Sequence, residues 1–184
     1  MQTMTLPRIH FNAPTVLLFS FLCIIIFILQ LDNFCAVPGR GGFAINNASH
    51  YLKLFTHVLA HGNLPHLFGN LTFLLLLGPI LEDRYGSSLL AFMILLTAVI
   101  TGAANILLSQ YPLLGASGIV YMFIILSSIV NIRSGTIPLT FILIAGIFIG
   151  QEITDGLNKE DNISQLAHIV GGIMGAIIGF RLKR

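Results

Sequence analysis

"LLGASGIVYMF", Leu113 to Phe123, is apolar at both ends and small in the middle, where Gly115, Ala116, Ser117 and Gly118 follow one another. An apolar run of this kind argues for a helix buried in protein or lipid. Small residues at its start argue for a neighbouring backbone that comes close, since Gly, Ala and Ser are favoured where membrane helices touch. A serine in such a helix commonly back-bonds to a carbonyl one turn earlier. Whether Ser117 has a further role depends on what the rest of the chain brings to its depth.

The chain has 184 residues, 55% hydrophobic and only 9% charged, with a mean hydropathy of +0.91. That leaves too little polar surface to face water and excludes a soluble domain. Apolar runs long enough to cross a hydrocarbon core of roughly 30 Å lie at about 14–31, 64–81, 89–108, 113–130, 137–152 and 163–180. The expected fold is therefore an all-α polytopic membrane protein, one bundle of six transmembrane helices. The first run is longer than a signal-peptide core and no A-x-A site follows it, so it is read as a retained helix behind a short cytoplasmic segment, 1–13. Cys23 and Cys35, about 18 Å apart along a helix, are too distant for a disulfide. With both termini inside, Arg8, Arg84, Arg133, Arg181, Lys183 and Arg184 are cytoplasmic, against Arg40, Lys53 and Lys159 outside, the orientation the positive-inside rule selects. A net charge of +2 is too small to suggest nucleic-acid binding.

Two connections are long, and both fall on the outer side. Residues 32–63, "DNFCAVPGRGGFAINNASHYLKLFTHVLAHGN", mix Gly, Asn and His with the amphipathic piece "YLKLFTHVLAH". They read as a folded loop resting in the membrane interface. The stretch "TDGLNKEDN", Thr154 to Asn162, is placed to cover an opening from outside.

Polar residues inside spans are costly and are functional candidates by default. Counted at 1.5 Å per residue from the cytoplasmic helix ends, Ser117 lies about 21 Å up, His168 about 20 Å, Asn70 about 21 Å and His66 about 27 Å. Three spans thus deliver four polar groups to one layer. His66 and Asn70, four apart, share a helix face. In "AHIVGGIMGAIIG", Ala167, Gly171, Gly175 and Gly179 form a stripe that admits a neighbouring backbone, with His168 beside it. If the neighbour is the helix of Ser117, His168 reaches the hydroxyl, and Tyr121, one turn below Ser117, can support the imidazole. No acid lies at this depth: Asp32 and Glu152 are near outer ends, Glu82 and Asp83 near inner ones. The pattern suggests a Ser-His dyad.

"HGNLPHLFGN" (His61 to Asn70), "GASG" with Tyr121, "AHIVGGIMG" (Ala167 to Gly175) and "GPILEDRYG" with Gly78, Glu82 and Gly86 together resemble the signature regions of the rhomboid family of intramembrane serine proteases. The resemblance runs from about Tyr51 to the C-terminus. It implies a minimal six-helix bacterial form, residues 14–184 being the protease domain, in the inner or plasma membrane. Ser117 would be the nucleophile and His168 the general base, with His66, Asn70 and the Ser117 N–H stabilising the oxyanion. His61 would line the cavity or brace the outer loop, Gly115 and Gly118 would allow close approach, and Gly171 and Gly175 would seat the helix of His168. Substrates would be transmembrane segments of other proteins, with the lipid bilayer as a further partner and with no cofactor and no metal. Relatives often carry a Trp-Arg pair in the outer loop. Here Leu52 and Lys53 stand there, in a chain without tryptophan. Helix five, with Phe141 and Phe148, would serve as a lateral gate by the same likeness.

Two other readings compete. His57, His61, His66 and His168 are numerous enough to ligate a metal or haem, although no H-E-x-x-H is present. A binding or transport bundle would explain the common depth but not the pairing of serine with histidine.

Overall fold

Why α-helices form where they do is clearest at their ends, in the computed structural model, which describes residues 11–129 and 165–182 and a few single positions between 139 and 150. The named helices are α1 (Pro14–Ile28), α2 (Asp32–Cys35), α3 (Ala48–Thr56), α4 (Leu64–Tyr85), α5 (Ser87–Leu108), α6 (Ser117–Ile129) and α7 (Gln165–Arg181), with one 3-10 turn at His57–Leu59. The expected fifth span, 137–152 with Phe141 and Phe148, and the stretch 154–162 lie outside the described residues. α4 opens with Asn63, whose side chain accepts from the His66 N–H at 2.8 Å, and with Pro65 in its first turn. It ends at Gly86, where φ is +80° and a side chain would be strained.

α4 and α5, 22 residues each, are long and apolar enough to cross a membrane, while α1, α6 and α7 are shorter apolar helices. α6 is the axis of the bundle. Ile119, Met122, Phe123 and Leu126 are wholly buried against Leu74 and Leu81 of α4, Leu90 and Met93 of α5 and Val16 of α1. Phe68, Leu76, Phe92, Ile173 and Ile177 point outward with large apolar surfaces uncovered, the inverse of a helix meeting water.

Two devices tie the helices together. Gly171 lies against the Gly118 backbone. A Cβ on Gly175 would fall 2.5 Å from the Met122 carbonyl oxygen, and one on Gly179 2.9 Å from Ile129, so the small-residue stripe is the seam between α6 and α7. At the other end of the bundle the Glu82 carboxylate accepts from the N–H groups of Thr15 and Val16 at 2.9 and 3.0 Å. That caps the first turn of α1 with a negative charge, where the helix dipole favours one. Gly78, one turn earlier, leaves room for Val16, whose methyl carbons would lie 2.6 and 2.7 Å from a Cβ there.

Among the described residues, α4 and α5 extend past their apolar runs, to Tyr85 and from Ser87, and two other helices fall short of theirs. The first run extends to residue 31, but the helix stops at Ile28 and Gln30 takes φ +55°. The fourth run begins at Leu113, yet α6 begins only at Ser117. Leu113 is engaged in an antiparallel bridge with Val37, and Gly115 has φ +121°, neither compatible with a helix. Hydrophobicity alone does not separate an extended buried segment from a helical one.

The connection 32–63 is folded. α3 is capped by Asn47 and turns Leu54 onto α5 at Gly102, while Tyr51, Leu52 and Phe55 remain exposed. Its apex is held by Phe43, whose ring packs on His50 and Tyr51 at centroid distances of 5.4 and 5.2 Å. The Ala44 N–H donates to His50 Nδ1 and the Tyr51 hydroxyl to the Ile45 carbonyl. Aromatic packing thus anchors this loop in a chain that lacks a Trp-Arg pair. Cys23 and Cys35 are free and buried.

Candidate active site

Because α6 starts at Ser117, that serine occupies the first helical position, below the extended residues 113–116. N–H groups of a first turn have no partner within the helix and carry its partial positive charge. Ser117 is half-buried and faces a cavity of about 310 Å³. His66 and Asn70 line it from α4, Tyr121 and Val120 from α6, and His168 from α7. Pro65, Gly69, Phe73 and Ile124 complete an apolar wall.

His168 is buried, and its ring lies 4.3 Å from that of Tyr121, centroid to centroid, inclined by 32°. Asn70 is buried too, and its Nδ2 has no hydrogen-bond partner, nor does Nε2 of His66. Unpartnered buried polar atoms are expensive, and here two of them border one cavity. Gly115 is what lets His66 stay there: a Cβ at position 115 would lie 2.6 Å from His66 Cε1 and 2.8 Å from Nε2. Gly118 is equally confined, between Thr101 Cγ2 at 3.1 Å and the Ala167 carbonyl oxygen at 3.2 Å from a Cβ.

His61 does not line the cavity. It is wholly buried behind it, ring edge toward His66 at 5.1 Å and 67°. Its N–H donates to Asp32 Oδ1 at 2.9 Å and its Nδ1 lies 3.2 Å from the Leu59 carbonyl, which makes it a brace between α2 and the start of α4. His57 is also wholly buried, and its carbonyl accepts the Gly115 N–H at 2.9 Å. Its Nε2 stands 3.4 Å from Thr101 Oγ1, a hydroxyl that donates to the Thr97 and Ala98 carbonyls. Burial lowers the pKa of both imidazoles to about 4, helped at His61 by the nearby His66. Of the four histidines weighed as metal ligands, His57 thus turns to α5 and His168 to Tyr121. Among the described residues no three His, Cys, Asp or Glu side chains converge as a metal site would need.

Thr101, whose methyl group confines Gly118, and Asn105, whose amide donates to the Tyr111 carbonyl, are residues that the sequence reading does not single out. They stand four apart in the third apolar run, and that spacing on one helix face was the available signal.

A family model for the rhomboid domain matches residues 48–184. The protein known as Rhomboid protease GlpG of Yersinia pestis (strain Pestoides F) is 29% identical over 91% of this chain and 62% of its own length. Rhomboid-like protein 11, chloroplastic, of Arabidopsis thaliana is 24% identical over 83% of this chain and 60% of its own. The chain therefore spans about three fifths of the length of these curated relatives.

Proposed function

The chain belongs to the rhomboid family, and from that premise we propose that it is an intramembrane serine endopeptidase that cleaves transmembrane segments of other proteins. The observation that carries the reading is the single cavity into which three helices bring Ser117, His168, His66 and Asn70. Ser117 Oγ attacks the scissile carbonyl while His168 takes its proton and later delivers it to the leaving amine. The Tyr121 ring, stacked on His168, holds the imidazole where a triad would use a carboxylate. The tetrahedral oxyanion is met by Asn70 Nδ2, by His66 Nε2 in its protonated tautomer, and by the Ser117 N–H at the positive end of α6. Water then hydrolyses the acyl-enzyme, with His168 as base again. In this reading the chain crosses the bilayer six times, with both termini cytoplasmic and the cavity in the outer half of the membrane, where the basic residues and the depth count put it.

A fluorophosphonate probe in detergent tests this directly. Labelling is expected in the intact chain, absent in Ser117→Ala, severely reduced in His168→Ala and indifferent to chelators. Proteolysis that survives Ser117→Ala but not chelation would overturn the proposal in favour of a metal enzyme.

A further inference from the structure

Residues 36–40 of the outer loop and 109–113, the stretch before the serine, run side by side. Val37 and Leu113 exchange both backbone hydrogen bonds, at 2.9 and 2.8 Å, and the Arg40 N–H donates to the Ser109 carbonyl at 2.6 Å. Between them Gly39 lies so close to Gln110 that a Cβ would overlap its carbonyl. So short a pairing has little stability of its own. One buried side chain spans it. Asn105, 1% exposed near the end of α5, donates from Nδ2 to the Tyr111 carbonyl at 3.0 Å and, at the long distance of 3.5 Å, to that of Pro38.

Two residues after Leu113 the Gly115 N–H is held by His57, and two further on stands Ser117. The extended stretch is thus fastened at Leu113 and at Gly115, and the helix starts immediately beyond. We propose that Asn105 is a positioning residue for the nucleophile. By clasping both strands it fixes the path of residues 109–116 and so the place at which Ser117 meets the substrate carbonyl. This rests on the reading of Ser117 as nucleophile. Without the amide, the Tyr111 and Pro38 carbonyls lose the donor they share, the strands part and the stretch samples other paths. Misplacement of a reacting group by about 1 Å costs up to about 10²-fold.

The test uses the full chain in detergent, with hydrogen exchange and the steady-state cleavage of a transmembrane substrate measured on the same samples. Asn105→Leu should raise exchange at 36–40 and 109–115 while α6 and α7 stay protected, and should lower kcat about tenfold or more with KM unchanged. Asn105→Gln, which keeps the donor on a longer arm, should restore part of both. Gly39→Ala, which parts the strands without touching Asn105 and decides the matter if Asn105→Leu does not fold, should give the same pair of effects. Wild-type kcat in Gly39→Ala despite raised exchange, or a loss of kcat in Asn105→Leu with exchange at 109–115 unchanged, would overturn the proposal. Failure of the underlying reading looks different, since cleavage would then persist in Ser117→Ala.

Discussion

The ring of Tyr121 lies 4.3 Å from that of His168 and is tilted 32° to it, joining α6 to α7 beside the cavity that Ser117 faces. An aromatic face packed on an imidazole restricts the plane of its ring, and an offset aromatic stack contributes about 0.5–1.5 kcal/mol beyond area burial. Tyr121→Ala should therefore lower kcat by about 2- to 13-fold, which is that energy range expressed as a rate. Tyr121→Phe keeps the stack and should stay close to wild type. If Phe proves as harmful as Ala, it is the hydroxyl and not the ring that supports His168.

Oxyanion stabilisation is separable from folding. Loss of one preorganised donor costs about 10² to 10³ in kcat, so Asn70→Ala and His66→Ala should melt near wild type and turn over slowly. Gly115→Ala reaches the same end by another route. The new Cβ would need φ +121° and would press on His66 at 2.6 Å, moving a donor that has not been mutated. Wild-type turnover in all three variants would leave Asn70 and His66 as structural groups only.

The α6–α7 seam is tested by adding single methyl groups. Gly171→Ala overlaps the Gly118 backbone, and Gly175→Ala comes within 2.5 Å of the Met122 carbonyl, so each should cost about 1–3 kcal/mol and lower the melting temperature. Gly69→Ala is the control, since nothing lies within 4 Å of a Cβ there and a helical Gly to Ala change is stabilising by about 0.5–1 kcal/mol. Equal melting of the seam variants and the control would mean that the helices separate more easily than their contact implies.

Much of this arrangement was legible along one coordinate. A membrane reduces helix geometry to depth, and 1.5 Å per residue is enough to expect Ser117, His168, Asn70 and His66 in one layer. The glycines of the seam were legible for a similar reason, because a four-residue spacing on a helix marks one face. What depth does not carry is pairing between distant segments. The bridge of Leu113 to Val37, the hold of His57 on Gly115 and the clasp of Asn105 each depend on where a folded loop meets a helix end. For that reason the apolar run begins four residues before α6 does. The loop apex was hidden likewise, since the packing of Phe43 on His50 and Tyr51 follows no helical or strand spacing.

Stability should fall on acidification. His57 and His61 lie outside the membrane-spanning helices, and burial holds both near pKa 4 where an exposed imidazole titrates near 6.5. In the window between those values the unfolded chain binds more protons than the folded one, so stability rises with pH. The contribution is fully present above about pH 6.5 and is lost as pH falls toward 4. Melting temperatures across pH 4–8 in one detergent should show that decline, and His61→Gln should make it shallower. A slope unchanged by His61→Gln would mean that other groups govern the acid limb.

Substrate choice follows from where the serine sits. The described part of α6, Ser117–Ile129, spans 13 residues, about 20 Å at 1.5 Å per residue, and in the proposed topology Ser117 is at its outer end, below the membrane surface. The scissile bond must therefore lie within a membrane-anchored segment. An intact helix is a poor target, because its carbonyls are engaged four residues along and its side chains crowd the approach. Cleavage is expected where Gly, Pro or polar residues weaken the outer third of a transmembrane helix and the freed backbone can find polar partners. The Gly-Ala-Ser-Gly turn and the confined Gly115 and Gly118 favour a small residue at the cut. Three otherwise identical transmembrane substrates decide the point: one with an Ala-Gly break in its outer third, one with the break in its inner third, and one uniformly Leu. Only the first should be cut, at or just above the level of the break, with the product ends mapped by mass. Equal cleavage of all three would show that helix unwinding is not required, and cleavage of the inner-third substrate alone would reverse the proposed orientation.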